Sequence, residues 1–135
     1  MFEGSGGATA LIGGYENNIT RGGTGGGVVW ISAANRARFE RGSNVRADGG
    51  YGYKLRDVNV TDTVIPGSGG GSGGSIQILT TNLDGDGFIT AKGGNGSIGG
   101  GGGGSGGRVV LYFLGNYLAD FWNQHTFNWT GSLNI

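Results

Sequence analysis

Three glycine runs, each leading straight into an apolar strand, set the terms on which this chain can fold. Gly22-Gly23-Thr24-Gly25-Gly26 precedes Val28-Val29-Trp30-Ile31, and Gly70-Gly71-Ser72-Gly73-Gly74 precedes Ile76-Gln77-Ile78-Leu79. Gly103-Gly104-Ser105-Gly106-Gly107 precedes Val109-Val110-Leu111-Tyr112-Phe113, and a degenerate copy, Gly6-Gly7-Ala8, precedes Leu11-Ile12. Glycine supplies 35 of 135 residues, against an ordinary share of about 7%. Each glycine ordered on folding loses more backbone freedom than any other residue. Order in such a chain needs repeated tight turns, backbone packed on backbone, or assembly with neighbours. Disorder is the alternative, and the composition argues against it: 36% hydrophobic with 13% charged is not the low-hydrophobicity, high-charge signature of a disordered chain.

A second phrase recurs. Val45-Arg46-Ala47-Asp48-Gly49-Gly50 parallels Ile89-Thr90-Ala91-Lys92-Gly93-Gly94. The repeating unit is therefore strand, turn, strand, glycine loop. Copies begin 48 and then 33 residues apart, a spacing that tolerates insertions as stacked repeats do. Period-two alternation supports strands. Ala37 and Phe39 alternate with Arg36, Arg38 and Glu40, and Val58 and Val60 with Asn59 and Thr61. Over 125–135, Phe127, Trp129, Leu133 and Ile135 share one parity and hydroxyl or amide residues the other, which predicts one half-buried strand. Helical periodicity is poor except for a turn or two over 117–124.

The expected fold is all-β: an irregular, glycine-rich parallel β-helix of three or four coils. A β-sandwich with glycine-rich loops fits the same pattern. Over 93–107, where glycine fills 11 of 15 positions, threefold extended helices packed backbone to backbone are a third option, akin to polyproline II geometry. The expected division is 1–115 as glycine-rich repeats and 116–135 as an aromatic cap or assembly segment. The phrase Gly-x-Gly-x-Ile-x-Ala-x-Gly-Gly at 85–94, behind a glycine run and an apolar strand, resembles the glycine-rich tracts of large cell-surface and secreted proteins of protists, plants and bacteria. Those tracts are similar to coils of a parallel β-helix. The resemblance spans about 22–115 and implies a structural role at the surface, without chemistry.

Net charge is zero, so the electrostatic footprint of a nucleic-acid binder is missing. There is no cysteine, hence no disulfide framework or thiolate metal site, and no apolar run reaches the length of a membrane-spanning helix. Met1-Phe2-Glu3-Gly4 does not open a secretory leader, and the chain is expected to be a mature segment or a piece of a larger protein.

Four N-x-Ser/Thr acceptor sequences stand at Asn18, Asn59, Asn95 and Asn128, where about one or two would arise by chance. They place the protein outside the cell, carrying N-linked glycans. Asn82, Asp84 and Asp86 fall at positions 1, 3 and 5 of a calcium-loop pattern, but Gly93 stands where the bidentate carboxylate belongs. They make a weak calcium candidate beside the simpler reading as an Asp-Gly turn, and no cofactor is expected. Arg36, Arg38, Arg41, Arg46, Lys54 and Arg56 put six basic residues in 21 positions, interleaved with Glu40, Asp48 and Asp57 as on a solvated strand face. His125 is the only histidine. Asp84 and Asp86 are too close along one turn to flank a sugar as a glycosidase pair does. The chain is therefore not expected to be an enzyme.

The aromatic residues Phe121, Trp122, Phe127 and Trp129 are expected either to close one end of the repeats or to dock on the next subunit. The functional expectation is a structural subunit of an extracellular, glycosylated fibre, coat or appendage, with copies of itself as partners. The alternative is a carbohydrate-binding or adhesin module using Trp30, Trp122 or Trp129 as a stacking platform.

Overall fold

A computed structural model of the chain describes residues 3–11, 19–53, 67–113 and 127–135. These residues form strands and no helix. In order they are β1 (Ala10–Leu11), β2 (Ile19–Thr20), β3 (Val28–Phe39), β4 (Asn44–Arg46), β5 (Ser75–Gly85), β6 (Phe88–Thr90), β7 (Arg108–Phe113), β8 (Phe127–Trp129) and β9 (Ser132–Asn134). The architecture is all-β. One parallel sheet runs β3-β5-β7, with β8 also pairing with β5, and a second parallel sheet runs β4-β6-β9. β1 and β2 form a two-stranded antiparallel pair.

The repeats of the sequence lie side by side. Val29, Ile76 and Val109 share one rung of the first sheet, and Ile31, Ile78 and Leu111 the next. Val45, Ile89 and Leu133 share a rung of the second. The core lies where these rungs meet: Ala37, Ile76, Ile78, Leu83, Ile89, Ala47 and Ala91 are buried, with Val29, Ile31, Val45, Val109, Leu111 and Trp129 packed against them. Burying such aliphatic side chains contributes about 1.5–3 kcal/mol each. A parallel pair needs a long connection between its strands, and the glycine runs supply part of it.

A bulge divides β3. Ala33 pairs with Thr80 and Arg36 with Asn82, so β3 carries one residue more than β5 across the step. Side chains of β5 satisfy the carbonyls of the extra stretch: Thr81 Oγ1 donates to Ala34 O at 2.8 Å and Asn82 Nδ2 to Asn35 O at 3.1 Å. The single strand expected over 125–135 is instead two strands in two sheets. The break falls at Thr130-Gly131, where the Gly131 backbone passes so close that an added Cβ would sit 2.1 Å from Gly87 O. Trp129 lies in the first sheet and Leu133 in the second, so the shared parity does not mean a shared face.

Between the strands run six extended legs, 4–8, 21–27, 47–53, 67–74, 91–97 and 101–107, joined by hydrogen bonds that recur every third residue. Gly23 N and Gly26 N donate to Gly69 O and Ser72 O, Gly70 N and Gly73 N to Gly102 O and Ser105 O, and Gly71 N and Gly74 N to Gly50 O and Ala47 O. Leg 67–74 is bonded to all five others, since Gly94 N donates to Gly71 O and Ser72 N to Ser5 O. Period three is that of a threefold extended helix, whose own backbone groups are left for neighbours. Nearly all the amides of this leg are thus paired, as buried backbone requires.

The same period governs side chains. In leg 21–27 Arg21, Thr24 and Gly27 are exposed while Gly23 and Gly26 are buried. A Cβ on Gly23 would stand 1.9 Å from Gly50 O. On the sixth side of leg 67–74, between legs 4–8 and 101–107, lies an open furrow of about 500 Å³ whose lining includes Ser5, Ser72 and Ser105. Ser72 Oγ donates to Ser5 O at 3.1 Å. Arg21, Thr24, Lys92 and Asn95 stand at exposed positions of their legs, whereas Ala47, Ser68 and Ala91 are buried on theirs.

Candidate functional site

Most of the anticipated site residues do not converge. Asn18, Asn59, Phe121, Trp122 and His125 lie outside the described residues, as do Lys54, Arg56, Val58, Val60 and residues 117–124. The side chains of Phe127 and Asn128 also lie outside them. Asn95 is exposed on leg 91–97, beside Lys92 in the outward-facing class of that leg. Its sequon partner Ser97 points inward and accepts from Ser68 N through Oγ at 2.8 Å.

The weak calcium candidate is spread along a strand end. Asn82 donates to Asn35 O. Asp84 receives the Arg36 guanidinium, with Nε 2.6 Å from Oδ2, and Oδ1 is buried without a hydrogen-bond partner. Asp86 lies in the turn after Gly85, whose φ of 117° favours glycine, and its amide donates to Phe39 O at 3.1 Å. That turn carries the chain from the first sheet into the second. No cluster of three or more metal-ligating side chains forms among the described residues.

The two described tryptophans are placed differently. Trp129 meets Phe39 edge to face, ring centroids 5.8 Å apart at 81°, and belongs to the chain's own core margin. Trp30 is 64% exposed, on the outer face of the first sheet, in one rung with Gln77 and Val110. Tyr112 is exposed on the same face.

The described residues do bring one set of polar side chains together, on the outer face of the second sheet. Strand alternation turns Val45, Ile89 and Leu133 to one side and puts Arg46, Thr90 and Asn134 in one rung on the other. Asn44, Phe88 and Ser132 form the next rung. Beyond the strands, the three-residue period of the legs turns Asp48 and Tyr51 outward on 47–53, and Lys92 on 91–97. Together they bound a groove of about 350 Å³. Asp48 is its organising group. Lys92 N donates to Oδ1 at 2.9 Å, and Arg46 Nε and Nη2 donate to Oδ2 at 2.9 and 2.8 Å. Burial alone would raise this carboxyl, but the Lys92 amide and the Arg46 guanidinium outweigh it and hold it below its usual value. Thr90 Oγ1 also lies near the carboxylate and favours its charged form, yet it is buried and makes no hydrogen bond of good geometry. Sequence reasoning missed this groove. Its members are scattered over 44–134, and the repeat alignment of Arg46 with Thr90 and Asp48 with Lys92 was the available signal.

Comparison with family models, curated proteins and solved structures finds no match for this chain.

Proposed function

We propose that the chain is a structural, non-enzymatic building block of an extracellular assembly, winding as coils of a glycine-rich parallel β-solenoid and joining copies of itself through open sheet edges. Three features support the coil reading: parallel strands offset by one repeat in both sheets, glycine legs stacked in the same order, and a three-residue bond period that fits threefold glycine helices. The observation that carries the assembly reading is the first sheet. Among the described residues β3 and β7 are the outer strands of this sheet, each paired with β5, and the backbone donors and acceptors of an outer strand template pairing with another chain. The adjoining outer face leaves Val28, Trp30 and Tyr112 exposed in rungs shared with Ser75, Arg108, Gln77 and Ser32, although parallel sheets are ordinarily covered on both faces. Stacking copies head to tail continues the sheet and covers that margin. N-linked glycans at Asn18, Asn59, Asn95 and Asn128 belong to this reading. At Asn95 a glycan projects from the outward class of its leg, clear of the packed glycine backbone.

Light scattering and negative-stain electron microscopy of the full chain at micromolar concentration test it. Wild type is expected to form end-to-end oligomers, and Val110→Lys with Tyr112→Lys to release folded monomers. A wild-type chain that is monomeric and highly stable overturns it.

A further inference from the structure

We propose that the groove on the outer face of the second sheet binds a neutral saccharide of one or two pyranose units. This site is separate from the edges used for assembly and does not depend on them.

The lining argues for a polyhydroxyl ligand. Asp48 accepts, Lys92 donates, and the amides of Asn44 and Asn134 do both. Hydroxyl groups are donors and acceptors at once, so a sugar can use every member of such a mixed set. Phosphate or sulfate would call for unengaged, bidentate guanidinium groups. Here Arg46 is already spent on Asp48, and the ionised Asp48 repels a second anion. An apolar ligand would leave the polar groups desolvated and unpaired, at a cost comparable to lost hydrogen bonds.

Two aromatic rings complete the set. Phe88 is 45% exposed and Tyr51 66% exposed, and both line the groove. Phe88 precedes the fully buried Ile89, so its ring is on the outer face by strand alternation and adds nothing to the core. An aromatic ring held there presents an apolar face of the size of a pyranose ring, whose axial C–H bonds are apolar as well. Aromatic and amide side chains together are how small-ligand sites fix both affinity and orientation.

The groove, at about 350 Å³, falls at the small end of ligand pockets, which run from about 300 to 1,000 Å³.

The test is calorimetric and NMR titration of the full chain with methyl glucoside, methyl galactoside, methyl mannoside, N-acetylglucosamine and their β1,4- or α1,4-linked disaccharides, with digalacturonate as the charged probe. At least one neutral sugar is expected to bind and to shift the Thr90, Lys92 and Asn134 amide resonances. Phe88→Ala and Asn134→Ala, each checked for retained strand circular dichroism, are expected to weaken that binding about tenfold or more, equivalent to roughly 1.4 kcal/mol. Trp30→Ala and the Val110→Lys, Tyr112→Lys pair are expected to leave it unchanged, so a failure of assembly and a failure of sugar binding read out separately. No neutral sugar binding at millimolar concentration, binding of digalacturonate alone, or binding that survives both groove variants overturns the proposal.

Discussion

Replacing Gly71 by alanine should unfold much of this protein's margin of stability, whereas the same change at Gly102 should slightly raise it. Gly71 lies in the leg bonded to all five others, and a Cβ there would stand 2.0 Å from Thr24 O and 2.4 Å from Thr24 C. Ordinary contact begins at 3.4 Å. The obstacle is backbone, which has no rotamer to change, so leg 21–27 must move. Thr24 O accepts from Gly50 N at 2.7 Å, and Gly71 itself bonds Gly50 O and Gly94 N at 2.9 and 2.8 Å. Each buried group left unpaired costs about 1–3 kcal/mol, and overpacking typically adds about 1–3 kcal/mol. Reducing the freedom of the unfolded chain returns only about 0.4–1 kcal/mol. The net is a loss of about 3–5 kcal/mol, a large part of the roughly 5–15 kcal/mol that holds a domain folded. At about 3–4 °C per kcal/mol for a chain of this size, Gly71→Ala should melt about 10 °C or more below wild type. At Gly102 an added Cβ meets nothing within 4 Å, and its φ is not in the left-handed region. Only the unfolded-state effect remains, and Gly102→Ala should melt slightly above wild type. Circular dichroism melts of the two variants decide it. If Gly71→Ala melts within about 2 °C of wild type, or Gly102→Ala falls as far as Gly71→Ala, backbone-on-backbone packing is not what requires the glycine.

Asp48→Asn should lower the urea midpoint at neutral pH. A carboxyl whose folded pKa lies below the ordinary 3.8 stabilises fully above the unfolded value and loses that contribution as pH falls through the folded value. The gap between wild type and variant should therefore close as the pH is taken below 3.8, and a gap independent of pH would show that the ionised carboxylate is not the cause. Chelator should leave the melting temperature unchanged, because Arg36 already engages Asp84; a drop of several degrees would establish a bound cation through ligand linkage. Arg36→Ala should cost about 1–3 kcal/mol in chemical denaturation, because the Asp84 side chain is only 15% exposed and loses its partner, and a loss no larger than that of an exposed ion pair would refute that ranking. Mass spectrometry of native material should find hexosamine on the Asn95 peptide, and uniformly unmodified sequons would remove the main argument for an extracellular site.

Much of the strand pattern was legible because side-chain parity and burial are local. Ile76 and Ile78 flank Gln77 in alternation, the unbroken apolar runs 28–31 and 109–113 mark strands without marking the buried face, and the alignment of Val45-Arg46 with Ile89-Thr90 is the register that the second sheet adopts. The glycine phrases were less reliable. They begin 48 residues apart, yet Val28 pairs with Ser75, so the strands are offset by one residue from the phrases. The offset is already present in the legs, where Gly23 N and Gly26 N donate to Gly69 O and Ser72 O, and Val29 rather than Val28 then meets Ile76. The aromatic C-terminal segment misled for a related reason. Trp129 and Leu133 share parity, but Gly131 passes against Gly87 and sends the two into different sheets.

By itself the sequence determined that the chain would be built of strands, and that glycine would recur where something presses close. It even carried the three-residue rule, since Arg21 and Thr24, and Lys92 and Asn95, stand three apart at exposed positions. What presses on each glycine was not in the sequence. A glycine permits contact in every direction and specifies none, so only the stacked legs decide that Gly71 faces Thr24 or that leg 67–74 keeps a sixth, open side. The groove of Arg46, Asp48, Thr90, Lys92 and Asn134 was decided the same way. Its members become neighbours only when parallel pairing lays one repeat over the next, a non-local choice made by the buried Ile76, Ile78 and Ile89 rungs beneath.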